Sequence, residues 1–302
     1  MNNDRLAAVI LTYNEEANLP DCLRTLQPLG CPVFVIDSGS TDRTLEIARL
    51  FGAHLLSHPF QNHTTQWQWA LENLPCRPEW VLALDADQRL TPDAAQEIGS
   101  AVEAGGTADR EQIEAYYINR RQIFRGKWIR HGGYYPKYLL KLFRKDRVRF
   151  DPRDLVDHHF YVPGRTAKLR HDLLEVNVKE DQISFWLEKH VRYARLLAQE
   201  ELLRREKADA PLEAKALGSP DHRALWRKGL WYRLPLYWRP FLFFIYRYFF
   251  QAGILDGKVG FIFHFLQAFW FRLVIDIQVE ELLATGKKSY TPELHASTTY
   301  DS

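Results

Sequence analysis

Cysteine is scarce in this 302-residue chain, with 3 in all, at Cys22, Cys31 and Cys76. None stands at zinc-ligand spacing from another, and so sparse and odd a set reads as reduced thiols in a cytosolic setting, not as a disulfide framework. Net charge is nearly absent too: 40 basic against 38 acidic side chains leave +2, so no nucleic-acid partner is expected. The opening stretch, MNNDRLAAVILTYNEE, has neither the basic start nor the long apolar core of a signal peptide. No run reaches the ~20 apolar residues that cross a bilayer, so no membrane-spanning helix is expected. Internal repeats and low-complexity tracts are missing as well.

What is present is ordinary in bulk and uneven in detail. Hydrophobic residues make up 46% and charged residues 26%, as in a folded protein of one large or two modest domains. Residues 1–110 carry 7 basic and 15 acidic side chains, whereas residues 120–149 carry 11 basic side chains against Asp146 alone. Such opposite blocks imply different duties along the chain, the basic one suiting a phosphate-bearing or anionic-membrane contact. Residues 226–250 hold twelve aromatics interleaved with Arg227, Lys228, Arg233, Arg239 and Arg247.

Short apolar runs alternate with helical patterns through the first half. Strands are expected at 6–12, 33–37, 54–57 and 80–85, with helices at 15–26, 41–51, 64–74 and 92–104. Later strands fall at 115–119 and 138–143. Uninterrupted apolar strands alternating with helices predict an α/β fold, a mostly parallel sheet covered by helices on both faces. A charged helix follows from 182 to about 207, then a linker over 208–222.

In such a sheet ligands bind beyond the carboxyl ends of the strands. Three polar clusters lie there: Thr12-Tyr13-Asn14-Glu15, then Asp37-Ser38-Gly39, then Asp85-Ala86-Asp87. Neighbouring carboxylates repel unless a cation sits beside them. Oxygen ligands of this kind suit Mg²⁺ or Mn²⁺ held by one or two carboxylates together with substrate phosphates. Plainer readings exist beside these. The aspartates could cap the helix at Pro92, although Thr91 is the better cap. Asp37 could open a turn capped by Ser40 or Thr41, and Glu15 and Glu16 could favour a helix start electrostatically.

The stretches VILTYNEE, VIDSGSTDRT and ALDADQRL, in this order, resemble the family 2 glycosyltransferases of GT-A fold. RGKWIRHGGYYPKYLLKLFRK and DGKVGFIFHFLQAFWFRLVID narrow the resemblance to the bacterial subgroup that includes lipopolysaccharide core glucosyltransferases. The resemblance implies that Thr12, Tyr13, Asn14 and Glu15 line the nucleotide pocket with Ser38, Gly39 and Ala86. Asp37 would bond the base, Asp85 the ribose or base side of the donor, and Asp87 the metal that bridges the diphosphate. Transfer would invert the sugar, with a carboxylate or histidine as general base. DLVDHHFYV supplies the candidates: Asp157 as base, with His158 or His159 as metal or phosphate neighbour. Relatives carry a His-Glu pair where this chain has Asp157-His158, and often Asn where it has Gln68.

The aromatic, basic tail reads as two interfacial helices, about 236–252 and 259–280, forming a hairpin in one leaflet. The expected layout is therefore a catalytic domain over 1–180, a helix and linker over 181–222, and a membrane-associating region over 223–302. The expected activity is transfer from a UDP-sugar to a lipid-linked or glycan acceptor, by a protein peripheral on the cytoplasmic face of the cell membrane. Two alternatives are a sugar-phosphate nucleotidyltransferase and a non-catalytic membrane scaffold. The first would show a Gly-rich basic loop where this chain has TYNEEANL; intact Asp37, Asp85 and Asp87 weigh against the second.

Overall fold

A computed structural model describes residues 5–104, 113–156, 159–205 and 214–285. Nine strands and nine α-helices are named here in chain order. The first half contains β1 (Leu6–Thr12), α1 (Leu19–Leu26), β2 (Val33–Asp37), α2 (Thr44–Leu50), β3 (His54–Ser57), α3 (His63–Glu72) and β4 (Trp80–Asp85). There follow β5 (Gln88–Leu90), α4 (Pro92–Ala104), β6 (Ala115–Phe124), β7 (Lys127–Ile129), β8 (Tyr138–Arg144) and β9 (Thr166–Val176). The remainder is helical: α5 (Ile183–Arg205), α6 (Pro220–Trp231), α7 (Trp238–Ile245), α8 (Gly257–His264) and α9 (Phe271–Thr285).

All nine strands form one sheet in the order β3-β2-β1-β4-β8-β6-β9-β5, with β7 hydrogen-bonded to β6. The block β3-β2-β1-β4 is parallel throughout. Its central strands are buried on both faces, which is why residues 6–10 and 80–84 read as unbroken apolar runs. One core layer sets Leu19, Cys22 and Leu26 of α1 against Ala8, Ile10 and Leu82. The other sets Trp67 and Ala70 of α3 against Val9, Val81 and Phe160. The GT-A fold expected from the sequence is the fold observed.

Beyond β4 the sheet becomes mixed, and here the sequence reading was incomplete. β8 runs antiparallel to β4 and β6, and β6 is parallel to β9. β5, β7 and β9 were not expected; β5 and β7 have three residues each, too few to show a period, and β9 carries polar residues on both faces. The helix expected from 15 begins only at Leu19, with Pro20 in its first turn. Thr91 does cap α4, its Oγ1 accepting from the Ala94 amide at 3.2 Å. Neither Ser40 nor Thr41 caps α2: Arg43 precedes it without a capping side-chain bond, and Asp42 Oδ1 accepts from the Thr44 amide at 3.0 Å.

The linker expected over 208–222 lies partly outside the described residues, and α6 already starts inside it at Pro220 behind a Ser219 cap. α7 continues in wider turns over Tyr246–Phe250. From Gly253 to Thr285 the chain is one helical run of 33 residues, whose most apolar window has mean hydropathy 1.4 and is 39% buried. By length and composition this run is long enough to cross a membrane, which corrects the expectation that no segment is. The helix passes through Arg272 without a break, joining two stretches that look short when read apart. The run also packs inward: Phe263, Phe271, Ile275 and Val279 share a core with Trp186, Ala194 and Ala198 of α5 and with Phe124 and Ile129 of the sheet. Arg239, fully buried, holds this assembly together by bonding Glu201 of α5 and Asp276 of α9.

Candidate active site

The parallel strands place the three expected clusters at neighbouring strand ends. β1 pairs with β2 so that Thr12 lies beside Asp37, and with β4 so that Leu11 lies beside Asp85. Asp37 is buried with four donors around it. Its Oδ2 accepts from the amides of Gly39 (2.9 Å) and Ser40 (2.8 Å), and its Oδ1 from the hydroxyls of Thr12 (3.0 Å) and Ser40 (2.5 Å). A carboxylate has about four acceptor positions, so the observed bonds of Asp37 go into shaping its own loop. That loop needs Gly39, whose φ is +93°. Ser38 Oγ accepts from Gln66 Nε2 at 3.1 Å, so buried Gln66, which sequence reading passed over, braces the loop after β2 while Gln68 is exposed.

The β1 and β2 loops are fastened together. Asn14 adopts the left-handed region (φ +53°), its amide donates to Ser40 Oγ at 2.8 Å, and its Oδ1 accepts from the Thr41 amide at 2.8 Å. Glu15 is held on both oxygens, by Lys179 at 2.7 Å and by Asn18 Nδ2 at 2.8 Å. Tyr13 is exposed between these fixed neighbours.

Asp85 and Asp87 part company in space. Asp85 ends β4 and receives the ammonium of Lys141, a buried side chain of β8, at 2.9 Å. Ala86 is buried in the turn. Asp87 follows in that turn, before β5; its carbonyl accepts from the Val176 amide at 2.8 Å, and its Oδ2 from Asn177 Nδ2 at 3.1 Å. Asn177 is aligned in turn by Asn18 Nδ2 at 3.1 Å. Gln88 reaches Glu175 at 3.0 Å, and Arg120 grips both oxygens of Glu175 at 2.8 and 3.0 Å.

This layout leaves an electrostatic imbalance. Glu15, Asp85 and Glu175 each have a cation in contact: Lys179, Lys141 and Arg120. The hydrogen-bond partner of the Asp87 carboxylate is the neutral Asn177. Burial first, then the charges of Glu175 and Asp85, push the Asp87 carboxyl well above the usual carboxylate range; Lys189 opposes this and Glu15 adds to it. Lys189 is itself drawn away, donating to Glu180 at 2.6 Å. A hard divalent cation relieves such a site. Among the described residues no cluster of three or more His, Cys, Asp or Glu could hold a metal by itself. A lone carboxylate with a neutral amide partner fits an ion of the Mg²⁺ or Mn²⁺ kind, which takes few protein carboxylates and fills its shell with water and phosphate oxygens.

Asp157 and His158 lie outside the described residues. Nearby, Arg153 bonds Asp151 at 2.8 Å, and Lys168 sits 4.1 Å over the Tyr138 ring. His159 faces Tyr161 with ring centroids 6.1 Å apart and lines a small cavity with Asp221 and Lys228 of α6. Its described surroundings are thus those of α6. The residues that sequence reading missed are Lys141 on β8, Glu175 on β9, Lys189 on α5, Asn18 just before α1, and Asn177 and Lys179 just after β9. The one readable signal was the polar stretch 177–181, a strand-end cluster recognisable only once β9 is known.

Residues 7–169 match the family model described as "Glycosyl transferase family 2". Among curated proteins, an uncharacterized glycosyltransferase of Rickettsia typhi is 32% identical over 122 residues, 40% of each chain. One of Rickettsia prowazekii is 30% identical over 123 residues, again 40% of each. The matched part is thus about 40% of the length of these relatives. Among solved structures, a mannosyltransferase of Pyrobaculum calidifontis, in complex with GDP-Man and Mn²⁺, superposes with a TM-score of 0.51 at 15% identity. The match covers 94% of this chain and 88% of that one, and it speaks to the fold alone.

Proposed function

We infer the reaction from one premise: the chain belongs to glycosyl transferase family 2, whose model it matches over residues 7–169. It transfers a sugar from a nucleoside-diphosphate donor, a UDP-hexose by family resemblance, to an acceptor hydroxyl with inversion. The acceptor is a membrane-borne glycan or glycolipid of the lipopolysaccharide or exopolysaccharide kind, met at the inner face of the cell membrane. The observation that carries this reading is the Asp87 carboxylate at the rim of the parallel block, bonded by neutral Asn177 while Asp85 and Glu175 each have a cation in contact.

Each rim residue then has a task. The loops of Thr12–Glu15 and Asp37–Gly39 enclose the nucleotide, with Tyr13 at the mouth. Asp37 fixes the loop against which the base lies, Ala86 keeps the turn tight, and Asp85, restrained by Lys141, faces the ribose. Asp87 holds Mg²⁺ or Mn²⁺, with Asn177 aiming its carboxylate. When bound, the cation offsets charge on the departing diphosphate. The solved mannosyltransferase of the same fold contains Mn²⁺ with its donor, in keeping with this choice of ion. Asp157 takes the proton from the acceptor hydroxyl, with His158 as the metal or phosphate neighbour, since His159 lines the small cavity beside α6. Exposed Trp238, Phe249, Phe250 and Leu255 give the helical hairpin an apolar face for the bilayer boundary.

The test is a donor screen on the full chain with membrane-lipid extracts and Mn²⁺, reading released nucleoside diphosphate. Release by wild type and not by Asp87→Ala supports the reading. No release from any donor overturns it.

A further inference from the structure

Two arginines share an aromatic wall where the hairpin meets the sheet. Arg247, in the continuation of α7, lies 3.9 Å over the Tyr134 ring and 5.0 Å over Phe243, and its Nε donates to the Gly132 carbonyl. Arg272 faces the same Phe243 ring at 5.8 Å and Trp231 of α6 at 5.9 Å. Its Nε is buried without a hydrogen-bond partner. Among the described residues, no carboxylate lies in salt-bridge range of Arg247 or Arg272. Burial lowers the Arg247 guanidinium most, Tyr134 opposes, and the positive charges of Arg272, Arg120 and Arg227 lower it further. Like charges brought together in a partly buried place are costly unless an anion joins them. Planar guanidiniums over aromatic walls match phosphate oxygens.

The position narrows the anion. Exposed Trp238, Phe241, Phe249 and Phe250 lie on the same helix as Arg247, whereas Arg120 bonds Glu175 beside the Asp87 turn. We propose that Arg247 and Arg272, with exposed Arg227 at the rim, bind a phosphate group carried by a membrane-anchored acceptor and so hold that lipid between the bilayer and the donor site. This deepens the glycosyl-transfer reading and rests on it.

The test uses the full chain and flotation with phosphatidylcholine vesicles. Phosphatidate is added to one set, and oleate, matched in surface charge but free of phosphate, to another. Wild type gains more binding from phosphatidate than from oleate, and Arg272→Gln and Arg227→Gln each weaken that gain roughly fivefold, the worth of one surface arginine. Arg227 is exposed, so its substitution reports even if that of Arg272 disturbs folding. Equal gain from the two lipids, or an unchanged gain in both variants, overturns the proposal. Displacement by inorganic phosphate at the concentration of the lipid phosphate overturns its membrane-borne part. A parallel measurement of Mn²⁺-dependent stabilisation by UDP separates the two readings: its loss in wild type defeats donor binding and leaves the vesicle comparison standing.

Discussion

Asn177 donates to Asp87 across 90 residues of sequence, Nδ2 to Oδ2 at 3.1 Å. The bond joins the end of β9 to the turn after β4, and it orients a carboxylate that burial and like charge push toward its neutral form. An amide partner leaves the charge of Asp87 uncancelled and so leaves it open to a cation. A lysine in that place would compete with the metal.

Removing this support weakens metal binding without removing the ligand. Asn177→Ala is expected to lower Mn²⁺ affinity by roughly 10- to 100-fold, the usual worth of a partner that orients a metal ligand. Isothermal titration of Mn²⁺ in the presence of UDP measures it; unchanged affinity denies Asn177 this role.

The raised carboxyl of Asp87 gives a pH signature. A carboxyl raised on folding adds stability below its unfolded value and loses that contribution as pH climbs through the higher folded value. The metal-free wild type therefore loses stability relative to Asp87→Asn between acid and neutral pH. Mn²⁺ with UDP restores it at neutral pH in wild type alone, as protons cease to compete. Urea midpoints at several pH values check this, and parallel profiles for the two proteins would refute it.

Asp157→Asn tests the proposed base. The turnover number is expected to fall roughly 10²- to 10⁴-fold, the span of general base catalysis. Stabilisation by UDP with Mn²⁺ should be retained, since the change spares the donor loops. A variant that turns over normally places the base elsewhere.

The docking of the hairpin depends on Arg239. Its guanidinium donates to Asp276 at 2.7 Å and to Glu201 at 3.0 and 2.9 Å, wholly out of water. Arg239→Met leaves buried Asp276 with only the Tyr237 amide and Glu201 with only Arg205, at a cost of about 3–5 kcal/mol. Denaturant unfolding reads the loss, and amide exchange in α5 and α9 is expected to quicken with it.

Phe249 and Phe250 are 56% and 79% exposed, so replacing both with Ser costs the fold little. If their face meets the bilayer boundary, each contributes up to about 2 kcal/mol of apolar burial there. The double substitution then lowers binding to neutral vesicles by up to ~10³-fold, with an unchanged melting temperature. Flotation at equal lipid concentration decides the matter.

The parallel block and its polar strand ends were legible in the residues. A strand buried on both faces has to be apolar along its length, so the place where polarity begins marks its end. Thr12, Asp37 and Asp85 stand at those ends. A tight turn then puts Asp87 on the same rim. The partners were not legible. Lys141 reads as one lysine in a basic stretch, and only the antiparallel pairing of β8 with β4 brings it to Asp85. Asn177 and Lys179 follow a strand with no clean alternation, and the continuity of the last helix through Arg272 shows in no local window. Sequence by itself determined where side chains leave the apolar strands, because burial acts on each residue in turn. Tertiary structure alone decided which charges meet, because contacts between distant segments depend on the path of the chain between them.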